Sequence, residues 1–170
     1  MGRDSDNKIS SRDLLRSKKS LREILEVAIH FELTARDFYS DLIPKVSKRI
    51  RYLVVELAEE EQQHYDLFSN LMASPEIEHQ LAEMVTTPTS DSKFSDAVQA
   101  KDLGENPDDQ SILQYALYRE QAAMEQYTSL AEEVEPGPVK DLFSYLAKEE
   151  TQHKKDLEKI YYEVVHSGGV

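Results

Sequence analysis

Two glutamate–histidine pairs occur in the sequence with the same spacing and similar neighbours. Glu61 precedes His64 in the stretch LAEEEQQH, and Glu150 precedes His153 in the stretch LAKEETQH. Side chains three residues apart lie on one face of an α-helix, so each pair can direct a carboxylate and an imidazole toward one point. Because these two ligand types suit divalent metal ions, the pairs predict a metal site if the fold brings them together.

A lone glutamate in the preceding segment accompanies each pair. These are Glu32 and Glu120, and their surroundings match as well. Each has two alanines and one tyrosine at equal spacing, which are Ala28, Ala35 and Tyr39 in one segment and Ala116, Ala123 and Tyr127 in the other. The chain therefore resembles a duplicated helical hairpin.

The apolar residues of four segments recur with the period of an α-helix. Ser20 and Glu23 form a capping box before the first helix, Pro44 follows its end, and Asn106 with Pro107 indicates the start of the third helix. The predicted helices comprise residues 21–43, 46–73, 106–135 and 138–166. Because the connections within each pair of helices are short, we expect two antiparallel hairpins in an all-α four-helix bundle.

A long segment, residues 74–106, separates the two hairpins. A helix of ~28 residues is about 42 Å long at 1.5 Å per residue, and this segment is long enough to cross the bundle. We expect one long crossover connection with two short helices, near 75–85 and 94–103. Residues 1–19 are interpreted as an N-terminal extension, and residues 1–170 as a single domain.

The composition excludes several classes of function. The net charge is −13 and cysteine is absent, which excludes disulfides, thiolate-ligated metals and iron–sulfur centres in this chain. The acidic charge also disfavours nucleic acid or an anionic membrane as a partner, and the basic residues within 45–51 are interpreted as a solvated helix start. No apolar run has the length of a signal-peptide core or a membrane span. We expect a cytoplasmic protein that binds neither nucleic acid nor membranes.

Both pairs and both lone glutamates fall within the apolar stripes of the predicted helices. Four carboxylates and two imidazoles would therefore meet in the core. Burying that many carboxylates is costly without compensation, and two divalent cations would neutralise them. The alternatives are that the glutamates are ordinary exposed side chains or that the histidines are hydrogen-bonded core residues. Two pairs in register within a repeat, each with a glutamate at matching depth, favour the metal site.

The predicted geometry suits a dinuclear centre. In one known bundle arrangement, two helices each contribute Glu-x-x-His and the other two each contribute one glutamate. The paired glutamates then bridge the ions, each histidine binds one ion, and the lone glutamates close the outer positions. Oxygen and nitrogen ligands without thiolate favour iron or manganese, and zinc also fits. The predicted ligands are Glu32, Glu61, His64, Glu120, Glu150 and His153.

Two further pairs, Glu76 with His79 and Glu163 with His166, fit the same spacing. The first lies in the predicted crossover and the second close to the end of the last helix, so neither is expected to bind metal. His30 lies on the opposite side of the first helix from the predicted ligand and is expected at the surface.

This set of motifs resembles the di-iron domain of rubrerythrins, within the ferritin-like superfamily. The resemblance rests on Glu61-x2-His64, on Glu150-x2-His153 and on the lone glutamates with their alanines and tyrosines, and it extends from about residue 20 to residue 165. It implies a ferritin-like bundle and a carboxylate-bridged pair of iron ions (Fe2+/Fe3+) held by the six ligands, with Glu61 and Glu150 bridging. It also suggests a homodimer.

Two departures from that family bear on function. Rubrerythrins have a further ligand glutamate where this chain has Ala123, and a rubredoxin-like domain, which a chain without cysteine lacks. The leading interpretation is a di-iron oxidoreductase that reduces peroxide or dioxygen with electrons from an external donor such as a rubredoxin-type protein. The alternative is a ferroxidase or iron-storage protein that oxidises ferrous iron. The third is a non-catalytic, metal-stabilised interaction bundle.

Tyr39 and Tyr127 lie two turns from the lone glutamates on the same helix faces. They are candidates for contacts with the metal ligands or for radical relay. The alternative is that they are aromatic core residues whose hydroxyl groups lie at the end of the bundle. No catalytic residue is assigned from the sequence.

Overall fold

The computed structural model describes residues 18–98 and 102–167. Helices α1 and α2 pack together as one hairpin and α4 and α5 as the other, which confirms the predicted all-α four-helix bundle with a long crossover. The described elements are, in chain order, β1 (Lys18–Ser20), α1 (Leu21–Leu42), α2 (Arg51–Met72), a 3-10 helix (Pro75–Gln80), β2 (Met84–Thr86), α3 (Asp91–Val98), α4 (Asp109–Glu133) and α5 (Pro138–Ser167).

The bundle core consists of two apolar clusters with a polar layer between them. On α2, Leu57 belongs to one cluster and Phe68 to the other. On α5, Leu157 belongs to the same cluster as Leu57, and Leu146 belongs to the same cluster as Phe68. Fully burying such a side chain contributes about 1.5–3 kcal/mol, so the two clusters hold the four helices around the polar layer.

Helix α1 begins where the sequence predicts. Ser20 is the N-cap residue, and its hydroxyl oxygen accepts a hydrogen bond from the backbone N–H of Glu23 at 3.2 Å. Helix α4 begins later than predicted because Asp108, and not Asn106, caps it. The Asp108 carboxylate accepts a hydrogen bond from the backbone N–H of Ser111 at 2.7 Å. Residues 106–108 were therefore wrongly included in it.

Helix α2 also begins later than predicted, at Arg51 instead of near residue 46. After Pro44 the chain forms successive turns to reverse its direction, so Lys45, Lys48 and Arg49 lie in an interhelix loop, and only Arg51 of the basic cluster lies at the helix start. In this loop Ser47 donates a hydrogen bond to the Asp109 carboxylate at 2.9 Å, and Arg49 donates one to it at 3.2 Å. The loop is thereby fastened to the start of α4.

The crossover contains elements that the periodicity predicted only in part. The 3-10 helix occupies the first half of the predicted 75–85 helix, and α3 begins before the predicted 94–103 helix, of which residues 99–101 lie outside the described residues. Strand β2 pairs antiparallel with β1, with Val85 opposite Lys19. This two-stranded ladder was not predicted, because strands of three residues are too short to show alternation.

Arg119 attaches the crossover to the bundle. Its buried guanidinium group donates hydrogen bonds to the carbonyl oxygens of Ala97 in α3, at 2.6 Å, and of Phe31 in α1, at 3.3 Å. It also lies 4.8 Å from the centroid of the Phe31 ring. Since Glu120 is the next residue, these contacts hold the turn of α4 that carries Glu120.

Among the described residues, no helix combines the length and the apolar character needed to cross a membrane.

Candidate metal centre

Six polar side chains meet in the layer between the two apolar clusters. Each is at most 7% exposed, although carboxylates and imidazoles are normally solvated. They are Glu32 from α1, Glu61 and His64 from α2, Glu120 from α4, and Glu150 and His153 from α5. The helical period explains the convergence, because spacings of three and four residues keep these side chains on the inward faces.

The six side chains form two overlapping groups that could each hold one metal ion. Within each group, one ligand atom per residue lies within 4.8 Å of the others. The first group is Glu32, Glu61, His64 and Glu150, and the second is Glu61, Glu120, Glu150 and His153. Glu61 and Glu150 belong to both groups, so they occupy the positions that bridging carboxylates require.

The Nδ1 atom of His64 faces the first group. It lies 3.0 Å from Oε1 of Glu150, 3.6 Å from Oε2 of Glu32 and 3.7 Å from Oε2 of Glu61. Metal–ligand distances of about 2.0–2.2 Å put neighbouring donor atoms about 3.0–3.5 Å apart around a common ion. The observed spacing is close to that expected for donors that share one ion.

The Nδ1 atom of His153 faces the second group in the same way. It lies 3.6 Å from Oε2 of Glu120 and 3.8 Å from Oε2 of Glu150. The two imidazole rings are stacked, with centroids 5.9 Å apart and an interplanar angle of 11°. On its other side His153 contacts Glu60, whose Oε2 is 2.8 Å from Nε2. The sequence interpretation did not assign a role to Glu60, although a glutamate precedes the ligand glutamate in both pairs.

Each of the six side chains has a buried oxygen or nitrogen atom that could bind a metal ion and that has no hydrogen-bond partner among the described residues. These atoms are Oε2 of Glu32, Glu61 and Glu120, Oε1 of Glu150, and Nδ1 of His64 and His153. An unpaired buried polar atom costs about 1–3 kcal/mol, and more when it is charged. Six such atoms around one centre fit a set of metal ligands, and the charge of metal ions would compensate the four carboxylates.

Burial and crowded charge shift the pKa values of two of the glutamates. Burial, followed by the charges of Glu32 and Glu150, raises the pKa of Glu61. Burial, followed by the charge of Glu150, raises the pKa of Glu120. Without other cations, these carboxylates therefore tend to retain protons.

Close contacts shift the pKa values of His64, His153 and Glu150. Burial alone lowers the pKa of His64 and of His153, but the adjacent carboxylates outweigh it and raise both pKa values. Burial alone raises the pKa of Glu150, but contacts with Glu120 and the two histidines outweigh it and lower that pKa. Bound metal ions would displace the protons that otherwise balance the charge of the site.

The two tyrosines lie beside the polar layer, and not with their hydroxyl groups at the end of the bundle. Tyr127 donates a hydrogen bond to Oε1 of Glu32 at 2.5 Å. The hydroxyl group of Tyr39 is buried and has no hydrogen-bond partner among the described residues. The pKa of each hydroxyl is raised, chiefly by burial, and next by Glu32 for Tyr127 and by Glu120 for Tyr39.

The remaining motif residues lie away from the centre. Glu76, His79, Glu163, His166 and His30 are all exposed. Within the described ranges, the groups able to hold a metal ion contain none of these five residues.

Ala123 occupies the position where the sequence resemblance implies a further ligand. Its methyl group is buried in one of the apolar clusters. It offers no donor atom, so the carboxylates of the centre are those of the four glutamates named above.

The sequence model of the rubrerythrin family matches residues 23–103 and 111–167, which together make up most of the chain. The chain belongs to the rubrerythrin family. The buried carboxylate and imidazole groups of this rubrerythrin-family protein are compatible with a di-iron site. No curated protein sequence matches the chain.

Comparison with solved structures gives the same fold. A similar structure is the bacterioferritin-related protein from Bacteroides fragilis, described as a dodecameric thioferritin. The TM-score is 0.65 and the sequence identity is 22%, and the match covers 88% of each chain. At this identity the likeness supports the ferritin-like fold alone.

Proposed function

We propose that this rubrerythrin-family protein is a non-haem di-iron oxidoreductase that reduces peroxide or dioxygen with electrons from an external donor. The observation that carries the proposal is the convergence of six buried ligand atoms on one centre, where none completes a hydrogen bond of good geometry among the described residues, although Nδ1 of His64 and Oε1 of Glu150 lie 3.0 Å apart. A structural polar core would pair these atoms with each other. The unpaired set is better explained by ligands arranged for metal ions.

Each side chain has a defined role in this proposal. Glu61 and Glu150 would hold both ions, because each belongs to both groups. His64 and Glu32 complete one position, and His153 and Glu120 complete the other. The ligand set of oxygen and nitrogen without thiolate suits iron, and manganese or zinc fit the same atoms.

Two ferrous ions in this site would supply the two electrons that reduce one hydrogen peroxide molecule, with two protons, to two water molecules. The residues of the chain prepare the site for that reaction. Tyr127 orients Glu32 through its hydrogen bond, and the apolar clusters on both sides of the layer shield it from water along the length of the bundle. Because these residues include no cysteine, a thiolate-ligated carrier of the electrons that restore the ferrous state would lie outside them, as in a rubredoxin-type protein.

A second candidate function is oxidation of ferrous iron for storage. It is favoured by the absence of a thiolate electron carrier, since incoming ferrous ions can themselves supply electrons. The fold neighbour is described as a dodecamer. A closed assembly of this chain would favour storage, whereas the homodimer suggested by the sequence resemblance would favour the oxidoreductase.

Anaerobic loading with ferrous iron, followed by separate mixing with peroxide and with dioxygen, tests the proposal. The expected result is two iron ions per chain, rapid oxidation by peroxide in the optical spectrum, and re-reduction by an added electron donor. Oxidation by dioxygen with accumulation of ferric mineral in a large assembly would support the storage function instead. Bound metal without oxidation by either reagent would contradict both functions and leave a metal-stabilised bundle.

A further inference from the structure

Glu60 contacts the outer side of one predicted metal ligand. Its Oε2 atom lies 2.8 Å from Nε2 of His153, and the contact runs from α2 to α5. The Nδ1 atom on the other side of the same ring faces Glu120 and Glu150. The imidazole of His153 therefore lies between an outer carboxylate and the centre of the site.

A contact of this kind determines which ring nitrogen can bind a metal ion. A neutral imidazole has one N–H group and one nitrogen lone pair. When Nε2 donates its hydrogen to Glu60, the lone pair is on Nδ1, which is the atom that faces the other ligands. The same contact restrains rotation of the ring. Partners that fix the tautomer and orientation of a ligand histidine typically change metal affinity by about 10–100-fold.

The duplicated partner does not make the equivalent contact. Glu149 corresponds to Glu60 in the repeat, and His64 corresponds to His153. Among the described residues, the ion pairs of His64 all involve its inward-facing Nδ1 atom. Glu149 instead faces His153, with its Oε2 atom 3.9 Å from Nε2, which is beyond hydrogen-bonding distance. In the described part of the chain, outer carboxylates thus adjoin only one of the two histidines.

We propose that Glu60 is a positioning residue that fixes His153 for metal binding and makes the two metal positions of the site unequal. The ion bound by His153 would be held by a histidine whose tautomer and orientation an outer carboxylate fixes, whereas His64 has no such contact on its outer side among the described residues. This inference rests on the proposed metal centre. It adds Glu60, which binds no metal itself, to the residues that determine metal affinity. It also predicts that the two metal positions differ, although the sequence repeat alone would make them equivalent.

The surroundings of Glu60 make the inference testable. Glu60 and His153 line a cavity of about 350 Å³ between α2 and α5, and the side chain of Glu60 is 37% exposed. Replacing a side chain at such a position leaves a space that water can occupy, so the bundle is expected to remain folded. A small carboxylate such as acetate has room to replace the lost group.

Cobalt(II) is a suitable probe because its absorption spectrum reports ligand geometry without turnover. The variants are Glu60→Ala and Glu60→Gln, with Glu59→Gln as the control, since Glu59 is an exposed residue on the same helix. Affinities for the first and second ion are measured by competition with a chelator. Thermal unfolding of each metal-free variant verifies that it is folded.

We expect Glu60→Ala to lower the affinity for one of the two ions by about 10–100-fold and to change the absorption spectrum of cobalt bound at that position, while the affinity for the other ion is unaffected. Glu60→Gln should retain most of the affinity because its amide oxygen accepts the same hydrogen bond, Glu59→Gln should match the wild type, and acetate should restore binding to Glu60→Ala.

Wild-type affinity for both ions in Glu60→Ala, or equal weakening of both ions, would overturn the inference. If Glu60→Ala does not fold, Glu60→Met, which fills a similar space but has no oxygen to accept the hydrogen bond of His153, takes its place: unequal weakening of the two ions supports the inference, and wild-type affinity for both ions overturns it. If the wild type itself binds fewer than two ions, it is the proposed metal centre that fails, which is a separate result.

Discussion

The hydroxyl group of Tyr127 donates a hydrogen bond to Oε1 of Glu32 across 2.5 Å, from α4 to α1. This is the short distance typical of a hydroxyl group bound to a carboxylate. Tyr39 is its counterpart in the repeat, but the hydroxyl of Tyr39 has no hydrogen-bond partner among the described residues. The duplicated tyrosines therefore differ in the same way as the duplicated outer glutamates.

Replacing each of the two tyrosines by phenylalanine should have a different effect on the stability of the metal-free protein. Tyr127→Phe removes the donor that holds Glu32 and should lower the free energy of unfolding by about 1–2 kcal/mol. Tyr39→Phe removes an unpaired buried hydroxyl and should leave the free energy of unfolding unchanged or raise it. Urea denaturation of the two variants beside the wild type measures both effects. Equal losses in the two variants would contradict the difference between the tyrosines.

Metal binding should stabilise the fold. A ligand bound only by the native state adds about 2.7 kcal/mol at a free concentration of 100 times its dissociation constant. Thermal unfolding before and after removal of metal by a chelator should therefore show a lower Tm for the metal-free protein. The variant Glu61→Ala, which lacks a carboxylate shared by both candidate groups, should show little dependence of Tm on added metal. An unchanged Tm for the wild type would contradict the role of cations in balancing the buried carboxylates.

Metal stoichiometry should separate the central pairs from the peripheral ones. Glu61→Ala or Glu150→Ala removes a carboxylate that belongs to both groups, so either variant should lose paired binding. Glu76→Ala is the matched control, because Glu76 also stands three residues before a histidine but is exposed. Equilibrium dialysis followed by metal analysis gives the ions per chain. Loss of binding in Glu76→Ala to the same extent would argue for adsorption to surface carboxylates.

Arg119→Met should destabilise the protein by about 2–4 kcal/mol, because the carbonyl oxygens of Ala97 and Phe31 lose their donor inside the bundle. This loss of stability is expected to exceed the gain from no longer burying a charged guanidinium group, since the methionine side chain cannot donate a hydrogen bond to either carbonyl oxygen. Arg119→Lys should recover part of the lost stability, because its ammonium group can donate a hydrogen bond to one of the two carbonyl oxygens. Denaturant unfolding measures these differences, and a more stable Arg119→Met variant would show that the buried charge is the larger effect.

The cap of α4 should make part of the stability depend on pH. Asp108 is fully exposed, and its pKa is lowered because the carboxylate accepts the hydrogen bond of Ser111. A lowered folded-state pKa contributes stability above the unfolded-state value, and that contribution disappears as the pH falls through the folded-state pKa. The difference in unfolding free energy between the wild type and Asp108→Asn should therefore shrink between pH 7 and acid pH. A difference that is constant with pH would contradict the cap assignment.

Much of the candidate site could be predicted from the sequence because it depends on helical period. Glu61 and His64 lie on an apolar stripe, and the same is true of Glu150 and His153, so their burial follows from the repeat distance of the helix. The repeat of one hairpin in the other then brings the two pairs to the same depth in the bundle.

Other features depend on contacts between elements that are far apart in sequence, and periodicity does not encode them. The contact of Glu60 with His153 requires the packing of α2 on α5 and a particular side-chain rotamer. Arg119 lies within a helical pattern, but its partners are carbonyl oxygens of α1 and α3, which carry no sequence signal. The late starts of α2 and α4 reflect turn formation after Pro44 and the choice of Asp108 as the cap.

The location of bound metal provides the most direct test of the candidate centre. Crystals grown with the protein loaded anaerobically with ferrous iron would be measured at wavelengths on both sides of the iron absorption edge. We predict two anomalous peaks in each chain, one beside His64 and one beside His153, with the carboxylates of Glu61 and Glu150 contacting both. Peaks found only at exposed carboxylates, or no peak between the four long helices, would contradict the dinuclear centre and the functions proposed from it.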